Sequence, residues 1–391
     1  MRILVGHNFY QQPGGEDAVF RSEVAMLKSF GHEVCLYERH NDEIKPDILS
    51  RISQAASMRY SKNSYDQMRS LIRSFKPDVA HFHNIFYMMT PSVLNACKDE
   101  GVPVVLSLHN FRLVCINGLF FRDGKPCEDC LSGSRMSGII HRCYRGSLAF
   151  SALAADMTDY HWHQNTWNSV VDRFIVATEF SKKKYIQAGI PSDKLKVLPH
   201  FVQEPPQSDR TKSNYALYAG RLSQEKGVDV LLKAWRDIKE VPLYIVGRGP
   251  KQQEMEGYIK KHGMTNVKIL GFLESQEYHK VLSQARFLVV PSVCYENFPI
   301  VVAEAFSYGL PVVASRLGTF EEIIEDNFNG RLFAPDDAVD LASKVLDIIA
   351  DEKQYEKLCE NARKAFEAKY TSVQHYQNLV RIYEGIDAKK N

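Results

Sequence analysis

The 391-residue chain lacks any apolar segment close to the roughly 20 residues that a helix needs to cross a bilayer. Its first stretch, "MRILVGHNFY", turns polar at once, which is typical of a β-strand rather than of a signal peptide. Cysteine is sparse too, at eight residues, and so few thiols in so long a chain are typical of a reducing compartment. We therefore expect a cytoplasmic protein.

A large excess of one charge is also absent. The formal net charge is +2 and 45% of the residues are hydrophobic, which is typical of a soluble globular protein and argues against nucleic acid as a partner. Residues 1–200 hold 24 basic and 20 acidic side chains, and the remainder hold 25 and 27, so the first half is mildly basic. The length exceeds that of one ordinary core and predicts two domains.

Short β-rich apolar runs alternate with segments long enough for crossover helices, which predicts parallel sheets. The runs form two series, separated by a stretch rich in Pro, Ser and charge at about 203–213 that we interpret as a linker. Two doubly wound sheets would bind ligands at the carboxyl ends of their strands, in a cleft between the domains. The runs are 2–6, 32–37, 77–83, 103–109 and 173–178, then 215–220, 242–247, 267–272, 286–292 and 311–315.

A glycine-containing loop, "NFYQQPGGEDAVF", follows the first predicted strand. Gly14 and Gly15 remove side chains where the backbone would approach a ligand, and the helix start that follows presents free N–H groups to an anion. A plain turn between a strand and a helix explains the same residues equally well, so both interpretations stay open.

A second loop, "YAGRLSQEKGVDVLLKAW", places Arg221 and Lys226 between a predicted strand and an amphipathic helix that begins after Gly227. Arg can grip two phosphate oxygens at once and Lys supplies a mobile point charge, so the pair suits a diphosphate. The alternative is a solvated cluster of charges. The placement at a strand end favours the phosphate interpretation.

Two carboxylates bracket an apolar stretch, "YENFPIVVAEAFSYGLPVVAS": Glu296 follows a predicted strand, and Glu304 lies among small and apolar neighbours in a predicted helix. Together with "GRLSQEKGVDVLL" and "IVGRGP", this stretch resembles the retaining glycosyltransferases of family 4, whose fold is called GT-B and whose pattern has two Glu separated by seven residues. The resemblance covers nearly the whole chain, including the glycine loop and the "LH" at Leu108 and His109.

The resemblance implies that Glu304 binds the ribose hydroxyls of a nucleotide sugar and that Glu296 contacts the sugar being transferred. It also implies a contact between His109 and the donor sugar, although a structural role for this histidine stays open; His81 and His83 are interpreted as structural. The other implied donor contacts are Gly14 and Gly15, Arg221 and Lys226 at the diphosphate, Asn297, Phe298, Pro299 and Ile300 at a helix start, and Arg248, Phe272 and Leu273 in loops that hold the base. Family members often carry Gly where Asn297 and Pro299 stand.

The chemistry of transfer needs cations beside the leaving diphosphate, which Arg221 and Lys226 can provide. No Asp-x-Asp motif stands at a strand end to hold a divalent metal. We therefore predict metal-independent transfer without a catalytic cofactor, with retention through front-side attack assisted by the leaving phosphate. The donor is a UDP or GDP sugar, with UDP favoured.

An insertion at 115–146 carries Cys115, Cys127, Cys130 and Cys143, with a C-x-x-C spacing in the middle. Four thiolates would suit a structural zinc ion, but reduced cysteines packed under a loop remain an alternative. Aromatic and basic residues alternate here, which suits a surface that binds an acceptor or faces a membrane. The amphipathic stretch 58–76 is interpreted as an ordinary domain helix, with membrane contact as the alternative.

The sequence as a whole thus predicts an α/β protein of GT-B fold. Its domains would be 1–202 for the acceptor, 203–370 for the nucleotide sugar, and a helix at 371–391 that crosses back to the first domain. The predicted function is retaining hexosyl transfer to a glycan or lipid-linked acceptor in surface polysaccharide biosynthesis, with peripheral contact to the inner membrane. The alternatives are a nucleotide-sugar isomerase or epimerase of the same fold and a non-catalytic protein that binds nucleotide sugars.

Overall fold

A computed structural model describes residues 1–11, 14–43, 57–205 and 213–387. Most of the predicted linker at 203–213 lies outside the described residues. The chain divides into two compact units. Unit 1 comprises Met1–Leu119, Glu128–His200 and His375–Asn391, and unit 2 comprises Phe120–Cys127 and Phe201–Gln374.

Strands and helices alternate along the described residues. The strands are β1 Arg2–Phe9, β2 Glu33–His40, β3 Val79–Asn84, β4 Val104–Leu108, β5 Phe121–Arg122, β6 Lys125–Pro126, β7 Arg173–Val176, β8 Leu195–Val197, β9 Ala216–Ala219, β10 Leu243–Val246, β11 Val267–Gly271, β12 Phe287–Val290, β13 Val312–Ser315 and β14 Gly330–Phe333. The helices are α1 Gly15–Ser29, α2 Lys62–Phe75, α3 Ser92–Asp99, α4 Met136–Ile140, α5 Leu148–His163, α6 Thr166–Val170, α7 Glu179–Gln187, α8 Val228–Asp237, α9 Gln252–Lys261, α10 Ser275–Gln284, α11 Ile300–Ser307, α12 Phe320–Ile323, α13 Ala338–Ala350, α14 Glu352–Lys369 and α15 Ser372–Asp387. Short 3-10 helices lie at Asn41–Glu43, Ser192–Lys194 and Gln224–Lys226.

Unit 1 is built on a parallel sheet with the strand order β2-β1-β3-β4-β7-β8. The chain runs outward from β1 to β2 on one side and from β3 to β8 on the other, so the order reverses between β1 and β3. At such a reversal the loops leave the sheet in opposite directions and open a crevice at the carboxyl ends of the strands. The loops after β1, β3 and β4 are therefore the candidate binding loops of this unit.

Unit 2 repeats the design, with a parallel sheet in the order β11-β10-β9-β12-β13-β14. Here the order reverses between β9 and β12, and α8 and α11 follow these two strands. Each of the ten β-rich runs found in the sequence overlaps a strand, and the predicted parallel sheets are confirmed.

Side chains that alternate along β9 divide the core of unit 2 into two layers. Ala216 and Tyr218 pack with Trp235 of α8 on one face of the sheet, while Leu217 packs with Phe306 of α11 on the other. Because successive residues of a strand point to opposite faces, a strand covered by helices on both sides must be apolar throughout. This packing holds α8 and α11 against the strands whose ends carry the site.

The insertion contributes a small antiparallel hairpin, β5 and β6, which belongs to unit 2 although the chain on either side of it belongs to unit 1. Phe121 packs against the core of unit 2, and the ring of Phe120 meets the ring of Tyr295 edge to face at 6.4 Å. The hairpin therefore lies beside the loop that carries Glu296. In the described ranges, no helix combines the length and the apolar content that a bilayer crossing requires.

Candidate active site

The loop after β9 is held against the loop after β12 through a glycine. Gly227 adopts φ +68°, in the left-handed region, and a Cβ added there would lie 1.8 Å from the carbonyl oxygen of Pro291. Only glycine fits such an approach without movement of the backbone. The 3-10 turn that ends at Lys226 is thereby brought to the residues that follow β12.

Lys226 and Glu296 form an ion pair in this place, with 2.6 Å between Nζ and Oε1. The hydroxyl of Ser292 donates to the same carboxylate oxygen at 2.7 Å, and the hydroxyl of Thr319 donates to the backbone oxygen of Glu296 at 2.7 Å. Burial lowers the pKa of Lys226, but the carboxylate of Glu296 outweighs it and the pKa is raised. Lys226 and Glu296, which the sequence places in separate loops, thus form one ion pair.

Glu304 lies in the second turn of α11, where it is half-buried. The hydroxyl of Tyr278 in α10 donates to Oε2 of Glu304 at 2.6 Å. Burial raises the pKa of this carboxyl, and the hydrogen bond from Tyr278 offsets only part of the rise. Tyr278 was not identified from the sequence because nothing in α10 marks it apart from its neighbours.

The loops after β10 and β11 present an exposed stacking surface. Gly247 has φ +138°, and a Cβ there would lie 1.9 Å from the backbone oxygen of Gly220, so the loops after β9 and β10 touch backbone to backbone. The guanidinium of Arg248 lies 5.1 Å from the ring centre of Phe272, which is 54% exposed. A planar cation stacked on an exposed ring suits a nucleobase.

The remaining predicted donor contacts also lie at this end of unit 2. Arg221 is exposed, whereas Asn297 and Pro299 are buried directly before α11. Leu273, Phe298 and Ile300 are half-buried.

In unit 1 the glycine loop is tied to β1 by Asp17, a residue that the sequence analysis missed. The backbone N–H of Gly14 donates to Oδ2 of Asp17 at 2.9 Å, and Nε2 of His7 lies 2.7 Å from Oδ1. Asp17 is the third residue of α1, where a side chain can reach back to the N–H of the residue before the helix, but Gly14 lacks the side chain that completes the usual sequence signature. Gly14 and Gly15 stand at the amino terminus of α1, as predicted.

A pocket at the carboxyl ends of β3 and β4 contains Asn110 and Arg112 in its lining. Arg112 donates to the hydroxyl of Tyr87 at 2.9 Å, and Asn110 donates to a carboxylate oxygen of Glu16 at 3.2 Å. Burial raises the pKa of Glu16 to about 7, despite the nearby cation of Arg112. Buried groups with displaced pKa values are typical of binding or catalytic sites, and none of these residues was singled out from the sequence.

His109 lies at the end of β4, as predicted, with both ring nitrogens near other histidines of unit 1. Its Nε2 is 3.0 Å from Nδ1 of His83, and its Nδ1 is 3.4 Å from Nε2 of His200. Burial lowers the pKa of His109 well below its usual range, so the ring is neutral. His81 and His83 are buried and hydrogen-bonded.

The four cysteines of the insertion differ in burial. Cys115 and Cys130 are buried, and Cys127 and Cys143 are half-buried. Within the described ranges, the only His, Cys, Asp or Glu side chains that bring three ligand atoms within 4.8 Å of one another are Glu23, His81 and His83. Burial, with Cys115 nearby, raises the pKa of Cys130 to about 11, which favours the thiol. The structural zinc ion stays a prediction.

Comparison with known proteins adds to this geometry. Residues 13–204 match the family described as Glycosyltransferase Family 4, and residues 202–365 match Glycosyl transferases group 1. An uncharacterised glycosyltransferase of Methanocaldococcus jannaschii is 24% identical over 98% of either chain, and the phosphatidyl-myo-inositol mannosyltransferase of Mycolicibacterium smegmatis is 25% identical over 90% of this chain and 86% of its own.

Two solved structures share the fold over nearly the whole chain. Sucrose-phosphate synthase from Thermosynechococcus elongatus superimposes with a TM-score of 0.73 at 16% identity and covers 100% of both chains. The Anabaena protein HepE, solved in complex with UDP and glucose, gives a TM-score of 0.66 at 18% identity over 97% of this chain and 98% of its own. At these identities the likeness establishes the architecture alone.

Proposed function

Because the chain is a glycosyltransferase with the GT-B fold, we propose that it transfers a hexose, with retention at the anomeric carbon, from a UDP or GDP sugar to a glycan or lipid-linked acceptor. Surface polysaccharide biosynthesis is the setting proposed for this transfer. The observation that carries the proposal is the ion pair of Lys226 and Glu296, which joins the loops that follow β9 and β12. UDP is favoured because HepE, a structural neighbour, was solved with it.

The charges of unit 2 suit a leaving diphosphate. As the bond to the anomeric carbon breaks, negative charge grows on the phosphate and positive charge grows on the sugar. Lys226 supplies the cation that compensates the charge on the phosphate, and Glu296 holds it in place at 2.6 Å. The carboxylate of Glu296 can also bind the sugar. Arg221, which is exposed at the end of β9, adds a second cation that can reach phosphate oxygens in pairs.

Metal-independent transfer forms part of this proposal. A divalent ion in other phosphoryl and glycosyl transfers serves to neutralise the leaving group, and two basic side chains can provide that charge directly. In this scheme Lys226 must exchange part of its contact with Glu296 for the diphosphate when the donor binds. Glu296 then becomes free to accept from a hydroxyl of the transferred sugar.

The acceptor is assigned to unit 1, where Arg112 lines the pocket at the ends of β3 and β4 and donates to Tyr87, and where Asn110 of the same pocket donates to Glu16. Sugar hydroxyls both donate and accept, so they can bond to the guanidinium of Arg112, the phenol of Tyr87 and the carboxyl of Glu16. A lipid-linked acceptor also agrees with an exposed apolar and basic segment around α4. Peripheral contact with a membrane is proposed on that ground.

A panel of nucleotide sugars tests the donor. A donor that binds the folded state raises the melting temperature by mass action, so UDP- and GDP-hexoses should stabilise the protein more than the corresponding nucleoside monophosphates do. Product analysis with and without an added glycan then separates the alternatives. Conversion of the nucleotide sugar without an acceptor would indicate an isomerase or epimerase, and binding without turnover would indicate a binding protein.

A further inference from the structure

A line of hydrogen-bonded side chains runs through unit 1 from α1 to the residue after Pro199. It comprises Glu23, His83, His109 and His200, and is called the histidine chain below. Oε1 of Glu23 lies 3.2 Å from Nε2 of His83, and the two histidine pairs that follow are 3.0 and 3.4 Å apart. The rings of His83 and His109 stack with centres 5.2 Å apart and planes inclined by 10°.

The first member of the chain, Glu23, presents Oε1 as a hydrogen-bond acceptor. Nδ1 of His375, in α15, lies 2.8 Å from the backbone oxygen of Pro199, which can only accept, so this nitrogen carries a proton. Its Nε2 lies 3.1 Å from Oε2 of Glu23, so one proton lies between these two atoms, on Nε2 or on Oε2, and Oε1 is left to accept. Nδ1 of His81 lies 3.0 Å from Oε1 and 2.7 Å from the hydroxyl oxygen of Tyr383.

An accepting Oε1 imposes one direction on the chain, because the nitrogen that meets it must carry a proton. His83 must therefore donate from Nε2, which leaves its Nδ1 as an acceptor. His109 must then donate from Nε2 to His83, and its own Nδ1 accepts from Nε2 of His200. The scheme requires neutral rings, and burial lowers the pKa of His83 to about 4 and that of His200 to about 3.

We propose that Glu23 and His83 are positioning residues that hold His109 in its Nε2–H tautomer, so that His109 offers the lone pair of Nδ1 to a hydroxyl group of the bound sugar. The resemblance to family 4 implied only that His109 touches the donor; the hydrogen-bond chain assigns the atom and the sense of the bond. The 3.4 Å contact with His200 is at the long end of hydrogen bonding, so a hydroxyl can replace it at small cost.

The identity of the hydroxyl rests on the proposed function, whereas the tautomer does not. A metal ion at Glu23, His81 and His83, whose ligand atoms cluster within 4.8 Å, would have the opposite effect. Such an ion would take the Nε2 lone pair of His83, leave the proton on Nδ1 and force His109 to accept at Nε2. The position of the proton on His109 therefore distinguishes the two arrangements.

Nitrogen-15 NMR of protein with labelled histidine, recorded without substrate near neutral pH, reads these protons directly. In the wild-type protein we expect His109 to show a protonated Nε2 and an unprotonated Nδ1. Glu23→Gln should keep this pattern, because the amide oxygen can accept from His83 while the amide nitrogen donates to Nε2 of His375. Glu23→Leu and His83→Phe should each give a mixture of tautomers.

Donor kinetics supply the functional readout. Loss of one neutral hydrogen bond is worth roughly 0.5–1.5 kcal/mol, so His83→Phe should raise the donor KM by about twofold to tenfold, and Glu23→Gln should leave it near the wild-type value. His161→Phe is the matched control: it removes another buried imidazole of unit 1, bonded to the backbone oxygen of Arg59 and to Thr166, that lies outside the chain. It should change neither the tautomer of His109 nor the KM.

A wild-type His109 protonated at Nδ1 or at both nitrogens overturns the proposal, as does a His83→Phe variant with an unchanged tautomer. Metal-induced shifts of the ring nitrogens of His81 and His83 would overturn it as well. If the Nε2–H tautomer is found but the protein transfers no sugar, the proposed function fails while the assignment of the proton stands.

Discussion

At the residue scale, Glu304 offers two carboxylate oxygens, and Tyr278 occupies Oε2. The proposed grip on ribose hydroxyls needs the other oxygen and a negative charge. Glu304→Gln keeps the shape but removes the charge, so we expect donor affinity to fall by roughly 1–3 kcal/mol, the scale of a hydrogen bond to a charged group. Isothermal titration with the donor measures this. Glu321→Gln, an exposed carboxylate of α12, is the control; equal dissociation constants for both variants would remove Glu304 from the site.

Lys226 is the second residue whose removal should be decisive. Lys226→Ala deletes the cation that Glu296 holds, and loss of one electrostatic contact to a developing anion typically lowers turnover about a hundredfold or more. Arg221→Ala should act in the same direction. Steady-state turnover at saturating donor is the measurement, with Lys233→Ala, an exposed lysine of α8, as control. A Lys226→Ala enzyme with normal turnover would rule out the proposed diphosphate contact.

The sequence motif was enough to single out Lys226, Glu296 and Glu304, because these residues stand at fixed spacings around strand ends. Their partners were not predictable in the same way. Tyr278 reaches Glu304 from another helix, and His375 meets Glu23 across 352 positions of the chain. Hydrogen bonds between distant segments leave no local pattern, so only the folded chain shows them.

At the element scale, the connection between the loops after β9 and β12 depends on Gly227. Gly227→Ala places a Cβ 1.8 Å from the oxygen of Pro291 at a positive φ, so the loop must shift and stability should fall by more than about 1 kcal/mol. Gly257→Ala is the matched control, since it lies inside α9 with no atom within 4 Å of an added Cβ. That change should stabilise by about 0.4–1 kcal/mol.

Urea unfolding of both variants, followed by circular dichroism, gives the comparison. If Gly227→Ala and Gly257→Ala change the midpoint equally, the close approach to Pro291 has no energetic weight.

The segment from α4 to the start of α5 exposes apolar side chains next to arginines. Ile140 is 65% exposed and Phe150 is 45% exposed, Arg142 and Arg145 are exposed beside them, and no acidic residue occurs between Asp129 and Asp156. Apolar and cationic groups together favour a surface of anionic lipid. We expect co-sedimentation with vesicles that contain anionic lipid, and weaker binding at high salt.

The double variant Ile140→Ser, Phe150→Ser should lose most of this vesicle binding. Val339→Ser, which removes an 80% exposed apolar side chain of α13, should retain it. Equal binding of both variants would mean that the segment does not face a membrane.

Most of the strands that the sequence predicted have continuous apolar runs, as expected for strands covered on both faces. The exceptions are β2 and β11, which contain charged residues and are partly exposed. The sequence pattern did not predict β8 and β14, which are the outermost strands on one side of each sheet. Their sequences, "LKV" and "GRLF", are three and four residues long and include charged side chains, so they give neither a run nor a clear alternation. The two-residue strands β5 and β6 are shorter still and were hidden inside the insertion.

At the scale of the whole molecule, the absence of an Asp-x-Asp motif and the presence of Lys226 and Arg221 predict that catalysis does not need a divalent ion. Chelation with EDTA should leave the rate of transfer unchanged, because no bound metal would take part in neutralising the diphosphate. A strict requirement for magnesium would overturn this mechanism.

Metal analysis of the same preparation addresses the insertion. About one zinc per chain, lost in the double variant Cys127→Ser, Cys130→Ser, would establish a thiolate site that closes on metal binding. Protein purified without zinc would indicate that the four cysteines of the insertion are reduced thiols packed under a loop.

The membership of residues 120–127 in unit 2 has a consequence for recombination between related enzymes. The chain passes from one unit to the other at four points along its length, after residues 119, 127, 200 and 374. A chimaera joined only at residue 200 would carry a foreign hairpin into unit 2, in place of the one whose Phe121 and Phe120 fit its core and Tyr295. A graft of unit 2 from a related enzyme should therefore transfer donor specificity only when residues 120–127 are exchanged together with residues 201–374.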